Sequence, residues 1–273
     1  MKKLFLLAIP VLALGYFLIP KANAQTRYLL TGSSTIAPIL QKVAEDLQAE
    51  DASILIDVEM GGSGRGIQDA QSKQCDIGMA SRELTAEEAQ GLVVRPIAFD
   101  GVAMIVHDSN PLTNLTKQQV IDVYKSTVSD WKDLGGNAGE IYVVSKAEGR
   151  ATLTVFLEHF KIKAGDIQAD AIVGDNAQGV RLVAGNQAAI GYVSIGEALA
   201  AVQRGEELHL VGLDGIAATE QTVANGTYPL RRNLNLLFPG EIDAIGQRIL
   251  EHLASPRGSA ILTELGFTPL VSQ

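Results

Sequence analysis

The mature part of the chain alternates short β-branched runs with stretches whose apolar positions recur every three or four residues. Tyr28 to Leu30 is a short strand, and TGSST then turns the chain. From Ile36 the apolar residues Ile39, Leu40, Val43, Ala44 and Leu47 fall at i, i+3, i+4, i+7, i+8 and i+11, one buried helical stripe. Pro38 sits in its first turn, where a missing N–H costs nothing. Ser53 to Met60 is a strand, followed by Gly61-Gly62-Ser63-Gly64-Arg65-Gly66 and a helix from near Ile67; Asp76 to Met79 is the third strand. Thr85-Ala86-Glu87-Glu88 is a capping box that predicts a short helix, and Pro96 to His107 is extended chain. Thr116-Lys117-Gln118-Gln119 predicts a second box ahead of a helix carrying Val120, Ile121 and Tyr124. Ile141–Val144 and Ala188–Ser194 are strands, Leu153, Phe156, Leu157 and Phe160 mark a helix, and two helices broken at Pro256 follow Glu241. Strand–turn–helix units in this succession predict an α/β fold with largely parallel sheets.

The first 24 residues follow a different logic. Lys2 and Lys3 precede an apolar run from Leu4 to Ile19, and Ala22-Asn23-Ala24 has the small-x-small form of a secretory cleavage site. The run of 16 residues falls short of a membrane span, which needs about 20, and Pro10, Gly15 and Pro20 weaken it further. A cleaved signal peptide, residues 1–24, is the expectation, with the mature protein in the periplasm. Cleavage removes Lys2, Lys3 and Lys21 and no acid, so the formal charge moves from −9 to −12.

That acidity argues against nucleic acid as a partner, because phosphate-backbone binding shows a basic surplus. Cys75 is the only cysteine, so no intrachain disulfide or thiolate metal cluster can form, and it reads as a small buried hydrophobe. His107, His159, His209 and His252 are scattered without metal-ligand spacing, so no metal or other cofactor is expected. Catalytic motifs fail in detail: Gly61-Gly62-Ser63-Gly64-Arg65 breaks Gly-x-Ser-x-Gly at its last position, and Gly-Lys-Ser/Thr never occurs. Ser129-Asp130-Trp131-Lys132 fits Ser-x-x-Lys but has no Lys-Thr-Gly box after it.

What remains is a repeated design. Gly32-Ser33-Ser34-Thr35, Gly62-Ser63-Gly64 and Gly149-Arg150-Ala151-Thr152 each place small or hydroxylated residues where a strand gives way to a helix. The first N–H groups of a helix lack intrahelical partners and lie at the positive end of its dipole, so an anion can use them. Taken singly, each turn reads more readily as an ordinary cap. An acidic protein cannot hold an anion by its overall field, so three such turns with Lys146 and Arg150 beside the third point to an oxyanion.

TGSSTIAP, GGSGRGI, DIGMASREL, IAFDGVAMIVH, KAEGRATLTVF and IGYVSIG occur in the order and spacing of one family. Through them the chain resembles the phosphate-binding proteins of bacterial ABC transporters over nearly all of its mature length. The resemblance implies the two-domain type II periplasmic-binding-protein fold with a ligand cleft between domains. Domain I would be residues 25–100 plus 228–273, and domain II residues 101–227, with Asp100–Val106 and Tyr228–Leu237 as the crossings. It further implies a monomer that hands inorganic phosphate to a membrane permease. Carried over by position, Ser34, Thr35 and Ser63 donate hydrogen bonds to phosphate, as do Ala151 and Thr152, while Lys146 stands where many relatives have an arginine. Arg150 replaces a serine of the family pattern and could bind two oxygens as a fork. Ser81-Arg82 stands where well-known relatives carry the aspartate that accepts the ligand's proton, which leaves Asp100 as the candidate acceptor. A receptor for another tetrahedral oxyanion, a phosphate sensor and, further off, a secreted serine hydrolase stay open as alternatives.

Overall fold

The computed structural model describes residues 25–270, so the expected signal peptide lies outside the described residues. The chain begins with β1 (Thr26–Gly32), α1 (Ala37–Glu50), β2 (Ile54–Met60), α2 (Ser63–Gln71) and β3 (Ile77–Ala80). β2 and β3 both pair parallel to β1, one on each side. α1 has Pro38 in its first turn and buries Ala37, Ile39, Leu40, Val43, Ala44 and Leu47, the stripe its spacing predicts. α2 starts four residues earlier than the apolar pattern places it, because Gly62 at φ +93° turns the chain directly into Ser63.

The Thr85 box forms without a helix. Glu88 N–H donates to Thr85 Oγ1 (3.2 Å) and Thr85 N–H to Glu88 Oε2 (3.0 Å), yet only turns follow. Gly91 at φ +76° ends the segment, and the next strand begins two residues later. That strand, β4 (Val93–His107), is 15 residues long and passes from one hydrophobic core into another. Beyond it come β5 (Asn114–Leu115), α3 (Lys117–Tyr124), β6 (Tyr142–Lys146), α4 (Ala151–Phe160), β7 (Ala171–Val173) and α5 (Asn176–Ala184). There follow β8 (Ala189–Ser194), α6 (Ile195–Gln203), β9 (Leu208–Leu213), α7 (Glu220–Ala224), β10 (Arg231–Phe238), α8 (Ala244–Ala254), α9 (Pro256–Glu264) and β11 (Thr268–Pro269). α3 carries the predicted Thr116–Gln119 capping box, and Pro256 opens α9 after the break.

Strands run in the order β2-β1-β3-β10-β4-β8-β6-β7, and β9 also pairs with β4. The expectation of a largely parallel sheet fails at its centre. β10 is antiparallel to β3 and β4, and β4 is antiparallel to β8 and β9, because a chain that passes between two cores and returns must run both ways. The β10–β4 ladder shifts register between Leu234 and Asn235. Pro96 lies opposite Asn235 there, and a residue with no N–H is tolerated in a ladder at such a bulge.

One core gathers residues 28–98 with Leu234, Leu236, Phe238, Ile249, Leu253, Ile261, Leu262 and Phe267. The larger one gathers residues from Val102 to Leu230, with the rings of Phe156 and Tyr192 stacked and that of Tyr124 set at an angle to both. Cys75 is buried beside Ile67, Ala70, Ala80 and Leu237, and burial pushes its thiol above the usual range.

α2 lies almost on the strands beneath it. A Cβ on Gly66 would come within 2.6 Å of Met79 O, 2.8 Å of Thr31 O and 2.9 Å of Gly32 Cα, all backbone atoms that cannot swing aside. Gly66→Ala is therefore expected to destabilise the fold by roughly 1–3 kcal/mol, read as a lower urea midpoint at unchanged slope.

Candidate functional site

The three small-residue turns converge. Ser33 Oγ accepts from Thr35 N–H (3.2 Å) and Ile36 N–H (3.4 Å), capping the entry to α1. It donates to Ser81 Oγ at 2.9 Å. Ser81 N–H in turn donates to Ser63 Oγ at 3.0 Å, and the two hydroxyls lie 3.5 Å apart. Ser63, Ser81 and Thr35 are buried, and Ser34 is half-buried in the same turn as Thr35.

The charge at the centre of this cluster comes from Arg232, a residue that the motifs do not point to. Its side chain is 2% exposed. Nε and Nη2 both donate to Asp100 Oδ2, at 3.0 and 2.7 Å. Nη1 reaches Ser81 Oγ at 3.4 Å and Nη2 reaches Thr35 Oγ1 at 3.2 Å. A sequence signal exists: from Leu230, just before β10, Leu230, Arg232 and Leu234 are buried at every second position, and a charge in such a row must be paired.

Asp100, the expected acceptor of a ligand proton, is the counterion of that guanidinium. Its other oxygen accepts from Gly196 N–H at 3.4 Å, so neither oxygen is uncommitted. Arg82 does not join the cluster. Its guanidinium makes a two-point pair with Glu88 (2.7 Å each) and donates to Glu83 O at 2.8 Å. Ser81 and Arg82 lie in a bend just after β3, where the Ser81 side chain faces the cluster and that of Arg82 faces Glu88.

The other side of the site is built from β6, α4 and α5. Lys146 ends β6 and is buried; its Nζ donates to Asp175 O at 2.7 Å, and its N–H to Tyr192 OH at 3.2 Å. Burial lowers its pKa to about 7; Asp175 and Glu197 oppose that shift, and Arg150 and Arg232 add to it. Arg150 is the N-cap of α4, with Ala151 and Thr152 buried in the first turn behind it. The Arg150 side chain passes between glycines. A Cβ on Gly62 would lie 3.0 Å from its Cδ, and one on Gly174 would lie 3.2 Å from Nη2.

Two hydrogen bonds tie these elements to the first two turns. Gly64 N–H donates to Gly149 O at 3.0 Å, and Asn176 Nδ2 donates to Thr35 Oγ1 at 3.1 Å. Asn176, at the start of α5, is a second buried residue that the motifs do not indicate.

Donor and acceptor counting shows what the cluster offers. Thr35 Oγ1 accepts from both Arg232 and Asn176, so both lone pairs are filled and its O–H is free to donate. Ser81 Oγ accepts from Ser33 and Arg232 and is in the same position. Ser63 has Ser81 rather than an imidazole as its partner. Among the described residues no group of His, Cys, Asp and Glu is placed to hold a metal ion, and no helix is long and apolar enough to cross a membrane.

The sequence matches the PBP superfamily domain over residues 20–246. It is 25% identical over 248 residues to the phosphate-binding protein PstS of Bacillus subtilis, covering 88% of this chain and 80% of that protein. Among solved structures, a phosphate ABC transporter substrate-binding protein from Clostridium perfringens, with bound phosphate, superposes with a TM-score of 0.83 and 31% identity. That match covers 90% of this chain and 100% of the other. An ABC-type phosphate transport receptor from Vibrio cholerae gives a TM-score of 0.73 and 28% identity over 89% of this chain and 100% of its own.

Removing the central guanidinium leaves Asp100 buried and unpaired. Arg232→Met is expected to cost about 3–5 kcal/mol of stability, with much of it recovered in the Arg232→Met/Asp100→Leu double variant. Urea unfolding of the four members of this cycle measures the coupling.

Proposed function

The chain belongs to the PBP superfamily, and from that membership and the site geometry we propose that it is a phosphate receptor of an ABC transporter. Its relatives are named for phosphate binding, and they include a structure with phosphate bound. The single observation that carries the reading is the buried Arg232 guanidinium, shared among Asp100, Thr35 and Ser81, around which the small-residue turns converge. Family and site alike describe a two-domain α/β transport receptor, which is not an enzyme class. Related proteins of this type work outside the cytoplasmic membrane; we read residues 1–24 as the export signal and a membrane permease as the partner that receives the ligand.

In this reading residues 25–100 with 228–273 form one jaw and residues 101–227 the other. The anion sits where their helix starts meet. Thr35, Ser63 and Ser81 donate hydroxyl hydrogen bonds, with Ser34 in the same turn, and Arg232 supplies fixed positive charge. Ala151 and Thr152 present the start of α4, and Arg150 and Lys146 close the other side. Asp100 acts through Arg232, holding its orientation, and Arg82 serves its own jaw by pairing with Glu88. The Gly64–Gly149 and Asn176–Thr35 bonds are contacts of the closed form, which a ligand favours by binding it more tightly than the open one.

One observation keeps a second ligand in view. A carboxylate facing the ligand would repel fully ionised sulfate, but Asp100 is committed to Arg232 and Gly196. Calorimetric titration of residues 25–273, refolded to strip bound ligand, is expected to show tight phosphate binding. Sulfate and arsenate as competitors then measure how far the site discriminates. Failure of all three to bind overturns the reading.

Within it, Thr152→Val removes one hydroxyl at nearly constant volume and is expected to weaken phosphate binding by roughly 1–3 kcal/mol. Arg150→Ser, which restores the common family residue, is expected to lower affinity as well. Unchanged affinity in either variant takes that residue out of the site.

A further inference from the structure

Lys146 is a buried amine with no carboxylate in ion-pair contact among the described residues. Its one side-chain partner is a neutral carbonyl, Asp175 O at 2.7 Å. The charged and titratable groups on the elements around it are all otherwise engaged or of like sign. From α5, the Asp175 carboxylate caps the helix by accepting from Gln178 N–H at 2.8 Å. From α6, Glu197 pairs with Arg204 at 3.3 Å, and from β8, Tyr192 OH bonds Ser145 Oγ at 2.9 Å and Lys146 N–H. Asp100 on β4 belongs to Arg232 on β10, and Arg150 brings a second guanidinium from the start of α4. Gly179 leaves the space: a Cβ there would stand 3.0 Å from Lys146 Nζ.

Resting on the oxyanion reading above, we propose that Lys146 is a proton-linked ligand, whose amine takes up a proton from solvent as the anion enters. With no anion present, burial and two neighbouring guanidinium groups oppose the ammonium form. An arriving dianion supplies the missing counterion and reverses that preference. The balance is one dianion and one proton taken from solution for each site filled. No bond to the anion is made or broken.

The ligand-free pKa of about 7 places this exchange in an accessible range. The sign follows from it. Below that value Lys146 is already charged, and affinity is insensitive to this group. Above it each binding event must also bind a proton, so affinity falls as pH rises, by up to about tenfold per pH unit. The slope ends where the pKa of the occupied site is reached.

The test is calorimetry with inorganic phosphate at about pH 8.5, in two buffers of different ionisation enthalpy. Free phosphate is then the dianion, and the Lys146 variants separate proton uptake by this amine from protonation of the bound anion. The proposal expects uptake approaching one proton in the wild-type protein and none in Lys146→Arg, whose guanidinium is always charged. Lys146→Gln, which donates hydrogen bonds without titrating, serves as a second variant and is likewise expected to show no uptake. Phosphate binding without proton uptake in the wild-type protein overturns the proposal and leaves the oxyanion reading intact. Undiminished uptake in either variant overturns it too, by assigning the proton elsewhere. Absence of phosphate binding to the wild-type protein removes the oxyanion reading itself and the proposal with it.

Discussion

The ion pair between Arg232 and Asp100 is the constraint on which the centre of the molecule depends. The two residues lie directly opposite each other on the antiparallel strands β10 and β4, where the chain passes between its two cores. A lone charge at that depth is prohibitively costly, and a paired one still needs its remaining hydrogens satisfied. Thr35 and Ser81 supply part of that satisfaction, which ties the turn before α1 and the end of β3 to the crossing strands. Gly196 N–H, at the start of α6, completes the coordination of Asp100 from the other core. Strand register, turn geometry and anion chemistry thus meet at one guanidinium.

The closing side of the site is built on a different principle. Its contact with the first two turns is made by backbone and small groups: Gly64 to Gly149, and Asn176 to Thr35. Positive φ at Gly62 and the open space at Gly174 let the Arg150 side chain lie between them. Arg232 therefore has a fixed counterion, whereas among the described residues Lys146 Nζ has only the Asp175 carbonyl and Arg150 is in no ion pair. Charge that is structurally balanced on one side and unbalanced on the other is what an acidic protein requires to admit an anion at one place only.

Much of the fold was legible because periodicity and capping report local physics. The α1 stripe, the Thr116–Gln119 box and the break at Pro256 appear where their residues place them. The Thr85 box shows the limit: its two hydrogen bonds form, but Gly91 and the onset of β4 leave no room for a helix. The site was legible in its turns and less so in its charges. Adjacent arginines illustrate why: Arg231 lies outward over the Phe99 ring, 3.5 Å from its centroid, while Arg232 turns inward. Only strand alternation distinguishes them, and a motif search does not weigh it. Just after β3 the inward position goes to Ser81, and Arg82 beside it pairs with Glu88.

The path of the chain through the sheet also bears on the order in which the protein can be made. The larger core draws on one uninterrupted stretch, from Val102 to Leu230, whereas the other needs Leu234 to Phe267. A polypeptide emerging from its N-terminus can complete the later-encoded unit before the earlier one. Until β10 arrives, β3 has an unpaired edge, and unpaired edges recruit other strands. The residues that close this vulnerable interval also carry Arg232, so the strand that joins β3 to β4 is the one that brings the central guanidinium.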